Sequence, residues 1–252
     1  MTNSKAKNSI LFSFIGVLLV LLLWGVFYLV VRNSYIVPSP LTVIKESLLF
    51  LINGEFYKHL LSTLFRVLLA LFISIILGVT LAIFSNLFKT VESVMLPLFS
   101  IIRSLPVLAV LLIILVFVPR GIAPVVVCVL SILPIAYSQT LNYLNGVDVK
   151  QKEMLNIYNV SKKKRIFSVY LKGYAPLFIK ETASQFSFSL KLIVSAEILA
   201  QVYKSIGGDV NDASIYSNVT KMFALTLIIC ALGVVVEVIG NHVFNKMEKK
   251  YK

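Results

Sequence analysis

Six long apolar stretches alternate with short polar connections along this chain. Ile10 to Val31 is an uncharged run of 22 residues, and a second run of 22 lies between Arg66 and Lys89. About 20 apolar residues suffice for a transmembrane helix, so both are predicted to span a bilayer. The first run is too long for the core of a signal peptide and no small-residue cleavage site follows it. A third span, over about residues 94–118, is interrupted in its first half by Pro97, Arg103 and Pro106. Such a break is tolerated where protein or water re-satisfies the backbone. Gly121 to Leu144 is the fourth, with a kink expected at Pro134. Ile179 to Tyr203 is the fifth and carries Lys191 and Glu197, whereas Met222 to Phe244 is the sixth and carries Glu237.

The connections are uneven. Residues 36–62 open with Pro38-Ser39-Pro40, and Leu41 to Ile52 has helical periodicity but is too short to span. It reads as an amphipathic helix on the outer surface. Residues 204–221, with Gly207, Gly208, Asp209 and Asp212, read as a polar outer loop. The chain thus divides into a tail with the first helix (1–35), an external amphipathic segment (36–62) and a core of five spans (63–252). Gly78 in the second span is suited to close approach of a neighbouring helix.

The longest break in the second half runs from Asp148 to Pro176. Asp148 followed three residues later by Gln151 is a capping-box-like start. Met154, Leu155 and Tyr158 then form an apolar stripe, and Asn159 stands where a helix would stop in the left-handed conformation. Ser161 caps a second short helix running toward Gly173 and Pro176. The expected shape is helix, sharp turn, helix. Lys162, Lys163, Lys164 and Arg165 follow the Ser161 cap, where cations oppose the macrodipole, so helix stability does not explain them. Anionic lipid, an acidic patch on a partner, and topogenesis all remain as explanations.

Composition agrees with the pattern. The chain is 58% apolar, only 14% charged, and has a mean hydropathy of +0.92, outside the range of soluble domains. The formal charge of +13 would suggest nucleic acid in a soluble protein. In a membrane protein it reflects loops that stay in the cytoplasm. With the N-terminus inside, fourteen Lys and Arg fall on the cytoplasmic side and seven outside, leaving out the intramembrane Arg103, Lys180 and Lys191. That bias predicts both termini in the cytoplasm. Cys128 and Cys230 lie within apolar runs and read as packing residues. No G-x-x-x-x-G-K-[ST] and no H-E-x-x-H occurs, and nothing resembles a nucleophile–base pair, so an enzyme is not expected.

The fifth span holds the clearest candidate chemistry. Ser184, Ser187, Lys191 and Ser195 are spaced to share one helical face. Charges inside spans usually face a bundle interior or water. Two readings stand: a pathway-lining stripe in which Lys191 attracts an anion, or interhelical hydrogen bonds and ion pairs involving Glu197, Glu237 or Arg103. For Glu237, pairing with a basic residue is the plainer expectation.

The loop residues resemble a signature of ABC importer membrane subunits, E-A-A-x3-G-x9-I-x-L-P. Glu153, Met154 and Leu155 stand at E-A-A, Asn159 at the Gly, and Val169 and Leu171 at I and L, with Lys172 in place of the Pro. Pro38-Ser39-Pro40, Gly54, His59, Ser62, Arg66-Val67, Arg103-Ser104-Leu105-Pro106, Ala196-Glu197 and Gly207-Gly208 resemble, in order, the nitrate, sulfonate, taurine and bicarbonate branch of these permeases.

The resemblance implies an all-α integral membrane protein with six transmembrane helices, a type I importer permease-like fold and a cytoplasmic coupling helix. It places ATPase coupling on Glu153, Met154, Leu155, Tyr158 and Asn159. It implies a permease dimer in the inner membrane, an ABC ATPase subunit holding ATP and Mg, and a periplasmic or lipid-anchored substrate-binding protein, with no cofactor or metal on this chain. The solutes of the branch are small anions or thiamine-precursor pyrimidines. The alternative is an ion-gradient-driven secondary transporter or channel, which would show inverted repeats and paired midplane charges. No clear internal repeat is visible. A non-transporting membrane scaffold is a third reading.

Overall fold

The computed structural model describes residues 2–251; the side chains of residues 2–14, 17, 149, 162, 163, 168 and 249–251 lie outside the described set. The basic residues Lys5, Lys7, Lys162 and Lys163 fall among these. Every regular element among the described residues is helical. The chain forms two compact units: one joins the chain up to Tyr57 with Asp209–Ile228, the other joins Lys58–Gly208 with the chain from Ile229 onward.

The first unit contains α1 (Thr2–Val31) and α2 (Pro40–Phe50). Arg32, at φ 49°, ends α1. Ser39 caps α2 by accepting from the Thr42 N–H at 3.1 Å, and Pro40 fills the first helical position, where its missing N–H costs nothing. Val43 and Ser47, one turn apart, form the buried face of α2. Ser47 Oγ donates to Val43 O at 2.8 Å and approaches Ala224 O at 3.4 Å. Trp24 stacks near Phe223 and donates its indole N–H to Pro38 O at 3.1 Å.

The second unit holds most of α3 (Gly54–Leu87), then α4 (Lys89–Ser104), α5 (Val107–Phe117), α6 (Ala123–Asn145), α7 (Val149–Ile157), α8 (Lys162–Arg165), α9 (Leu171–Ala200) and the later part of α11 (Val219–Tyr251). Between α9 and α11 lies α10 (Ile206–Ile215). The most buried helices are α6 and α9. At Gly78 of α3 an added Cβ would lie 2.8 Å from Ala136 Cβ and 2.9 Å from Tyr137 N, so the glycine sets how closely α3 meets α6. Tyr137 then packs with Ala82, Phe99 and Leu141 and donates to Ser85 Oγ at 2.9 Å. A second cluster, Leu111, Ala123, Val127 and Ala196, joins α5, α6 and α9. Helix α11 comes close to α9 at Gly240, where a Cβ would lie 2.3 Å from Ala183 Cβ.

Among the described residues three helices are long and apolar enough to cross a membrane (α3, α6 and α11), or four if α4 and α5 make one span. The described apolar part of α1 is Leu18–Val31. Helix α9 is 30 residues long, but Lys180, Glu181, Lys191 and Glu197 dilute its hydropathy.

One expectation is sharpened and two are corrected. The interruption expected in the third span is a bend, at which α4 and α5 meet at 95°. The break lies at Leu105 and Pro106, both extended, whereas Pro97 stays inside α4. A residue before proline is pushed out of the α region, which locates the bend. The segment after Ser161 is no separate short helix; α8 passes through a π-helical turn, Ile166–Tyr170, directly into α9, and Gly173 and Pro176 lie within it. The polar segment after residue 204 is not a loop throughout, since it contains α10.

Candidate functional site

Helix α7 is fixed at both ends by its own sequence. Asp148 caps it by accepting from the Lys150 N–H at 3.1 Å. At the other end Asn159 adopts φ 50°. The Val160 N–H reaches back to Leu155 O at 3.1 Å and the Asn159 N–H to Asn156 O at 2.9 Å. This is the paired bonding of a Schellman ending, with Val160 packed on the cluster that contains Leu155. Arg165 closes the turn, donating through Nε to Val160 O at 2.6 Å and through Nη1 to Asn156 Oδ1.

That geometry divides the residues expected to couple. Leu155 is 6% exposed and packs with Leu144, Ile166 and Tyr170, holding α7 against the ends of α6 and α9. Met154 (48% exposed), Ile157 (79%) and Tyr158 (75%) point away from the protein. Glu153 and Asn159 are exposed at the margin. Ile157 escaped the sequence reading, although it lies three residues after Met154 and completes its face.

On α9 the four-residue stripe also divides. Ser184, Lys191 and Ser195 are exposed, whereas Ser187 is buried and donates to Gly233 O of α11 at 2.7 Å. Phe188, exposed, takes the place on that face expected for Ser187. Lys191 has no partner among the described residues, and neither has the exposed Glu237, which was expected to pair. Arg103 donates to Pro134 O at 2.6 Å and to Ser138 Oγ, tying α4 to α6 at the proline.

Glu197 is fully buried and organises a polar cluster. Its carboxylate accepts from Arg66 Nη1 at 2.9 Å, Thr63 Oγ1 at 2.9 Å and the Gly207 N–H at 3.1 Å. Thr63 Oγ1 in turn accepts from the Ile206 N–H at 3.0 Å. Ser205 Oγ accepts from the Gly208 N–H at 2.9 Å. Three successive N–H groups at the start of α10 therefore find side-chain oxygens, which is why a glycine pair opens a helix there. Arg66 also donates to Ser62 Oγ and to Gly121 O, each at 3.0 Å. The chemistry of this cluster is structural: every charge is matched and hydrogen-bonded.

Several membrane-length helices and one capped helix presenting an apolar face describe a multi-pass membrane protein. Residues 74–249 match the family of binding-protein-dependent transport system inner membrane components, and the chain belongs to that family. It is an ABC importer permease, a transport subunit and not an enzyme. It is 25% identical over 204 residues to a Bacillus subtilis (strain 168) protein named aliphatic sulfonates transport permease protein SsuC, covering 81% of this chain and 74% of that one. It is 23% identical over 164 residues to the formylaminopyrimidine transport permease protein ThiX of Halalkalibacterium halodurans, covering 64% of this chain and 65% of that one.

Proposed function

We propose that this chain, as a pair of copies in the cytoplasmic membrane, forms the pathway of an ATP-driven importer for a small solute delivered by an external binding protein. Each copy crosses the membrane six times with both termini inside, and α7 is the coupling helix. ATP and Mg belong to a separate ATPase subunit. The solute is a nitrate-, sulfonate- or taurine-like anion or a thiamine-precursor pyrimidine; the names of the relatives carry aliphatic sulfonates and formylaminopyrimidine. The observation that carries the reading is the exposed face of Met154, Ile157 and Tyr158 on a helix whose inner side is anchored by Leu155. Three large side chains left bare on a short, rigidly capped helix suit a groove on a partner.

Ser184, Phe188, Lys191 and Ser195 make the face of α9 that borders the pathway. An ammonium in hydrocarbon costs about 2.5–3.5 kcal/mol or more, so an unpaired Lys191 within a span fits water or solute, not lipid. The test is uptake by proteoliposomes holding the permease, its ATPase and the binding protein. Uptake should require ATP inside and should persist when ionophores collapse every ion gradient. Loss of uptake with the ionophores, with ATP still present, would replace this reading by the ion-driven one. Orientation is checked with an impermeant thiol reagent in a Cys230→Ser background: Lys164→Cys should react only from the cytoplasm and Asp212→Cys only from outside.

A further inference from the structure

The inner side of the loop encloses a pocket of about 270 Å³ where α3 and α6, two membrane-length helices, come to an end. Asn86, Asn145, Lys152, Asn156, Arg165 and Tyr170 contribute to its wall, and among the described residues no carboxylate does. Its hydrogen bonds consume acceptors and leave donors over. Asn145 O accepts from Lys152 Nζ at 2.9 Å, Asn145 Oδ1 from Asn86 Nδ2 at 3.0 Å, and Asn156 Oδ1 from Arg165. A lysine has three donor hydrogens and an arginine five, so both cations keep unspent ones, as do the amides of Asn86 and Asn156. Neither Lys152 nor Arg165 pairs with a carboxylate among the described residues; both meet only neutral oxygens. One acid beside the pocket, Glu92, accepts from Asn145 Nδ2 at 3.4 Å, but its charge is already matched by Lys89 at 2.7 Å.

Two unmatched cations and spare amide donors around one cavity call for a ligand with negative charge and several acceptor oxygens. Arginine and lysine together are the usual holders of phosphate. A second feature marks the same place: Ile166 and Tyr170 bound the π-helical turn, and such turns recur at functional sites. We propose that this pocket binds a phosphate-class oxyanion, held by Lys152 and Arg165 with the amides of Asn86 and Asn156. Its occupation bridges α7 to the ends of α3 and α6. The same chemistry is carried by a lipid headgroup and by free phosphate.

The test uses the full-length chain in nanodiscs at constant ionic strength, reading the thermal unfolding midpoint. In neutral phosphatidylcholine discs inorganic phosphate is titrated; in a parallel series phosphatidylglycerol is added without phosphate. A rise in the first series identifies free phosphate as a ligand, and a rise only in the second identifies the headgroup. In whichever series responds, Lys152→Gln should raise the ligand level needed about tenfold, the loss expected for one charge-assisted hydrogen bond. Lys164→Gln, an exposed cation on the same loop outside the pocket, should leave it unchanged. Arg165→Lys keeps the charge if Arg165→Gln fails to fold. The proposal is overturned if neither ligand raises the midpoint, or if Lys152→Gln and Lys164→Gln act equally, since the anion would then sense only surface charge.

Discussion

Arg66 and Glu197, 131 positions apart, meet at 2.9 Å, the carboxylate side chain fully buried and the guanidinium side chain 15% exposed. The pair is saturated on both sides. The carboxylate also takes Thr63 and the Gly207 N–H; the guanidinium also reaches Ser62 and Gly121. One ion pair thus joins α3, the turn between α5 and α6, α9 and the start of α10.

Removing one member of a buried pair strands the other, at about 3–5 kcal/mol. Glu197→Ala should therefore lower the thermal midpoint of the purified permease by several degrees, and Arg66→Ala should do at least as much. Glu197→Gln, which keeps an acceptor for Thr63 and Gly207, should fall between. A midpoint unchanged in Glu197→Ala would mean that the cluster contributes nothing to stability.

Gly207 is required for space. A Cβ there would lie 2.3 Å from Glu197 Cβ and 2.8 Å from Val194 O, so Gly207→Ala must push α10 away from α9. Overpacking of this kind costs about 1–3 kcal/mol. At Gly54 nothing lies within 4 Å, and Gly54→Ala should be neutral or slightly stabilising. Thermal midpoints of the two variants provide the comparison; equal shifts would contradict the close approach.

These residues mark how far the sequence could be read. The capping residues Ser39 and Asp148 and the left-handed Asn159 act on neighbours a few positions away, so local reasoning finds them. Helix α10 is different. Its first N–H groups are satisfied by Thr63 and Glu197, over 143 and 10 positions, so Gly207-Gly208 looked like loop. In the sequence Ser62, Arg66, Glu197 and Gly207 are separate fragments of a family pattern, and only folding makes them one cluster. The stripe on α9 was half legible for a related reason: helical spacing placed Ser187 near Lys191, but packing of α11 at Gly233 draws it inward. The 95° bend was signalled by Pro106, whereas Pro97, with the same chemistry, is absorbed in α4.

Lys191 is expected to act on transport without acting on assembly. It is exposed on α9 and has no partner among the described residues, so its truncation strands no other charge. Lys191→Ala should reduce uptake about tenfold or more while leaving membrane accumulation and ATPase association intact, and Lys191→Arg should restore much of it. If the alanine variant instead fails to accumulate, the side chain has a structural partner and does not border the pathway.

The division of α7 into an inner and an outer face yields the sharpest comparison. Ile157 and Tyr158 are exposed, whereas Leu155, two and three positions away, is packed against Leu144, Ile166 and Tyr170. Losing one interface anchor typically costs about 2 kcal/mol, roughly thirtyfold in affinity. Ile157→Asp should therefore abolish copurification of the ATPase and uptake while the permease itself melts as before, because a charge added at an exposed position leaves the folded chain unstrained. Leu155→Asp should also abolish both, but through a different cause: it buries an unpaired carboxylate and detaches α7, so the midpoint falls and proteolysis within residues 148–165 accelerates. Asn159→Gly should be tolerated, since glycine adopts positive φ more readily. Measured together, ATPase retention and proteolysis separate the roles. If Ile157→Asp and Tyr158→Asp both keep a full complement of ATPase, the exposed face of α7 is not the docking surface, whatever Leu155→Asp does.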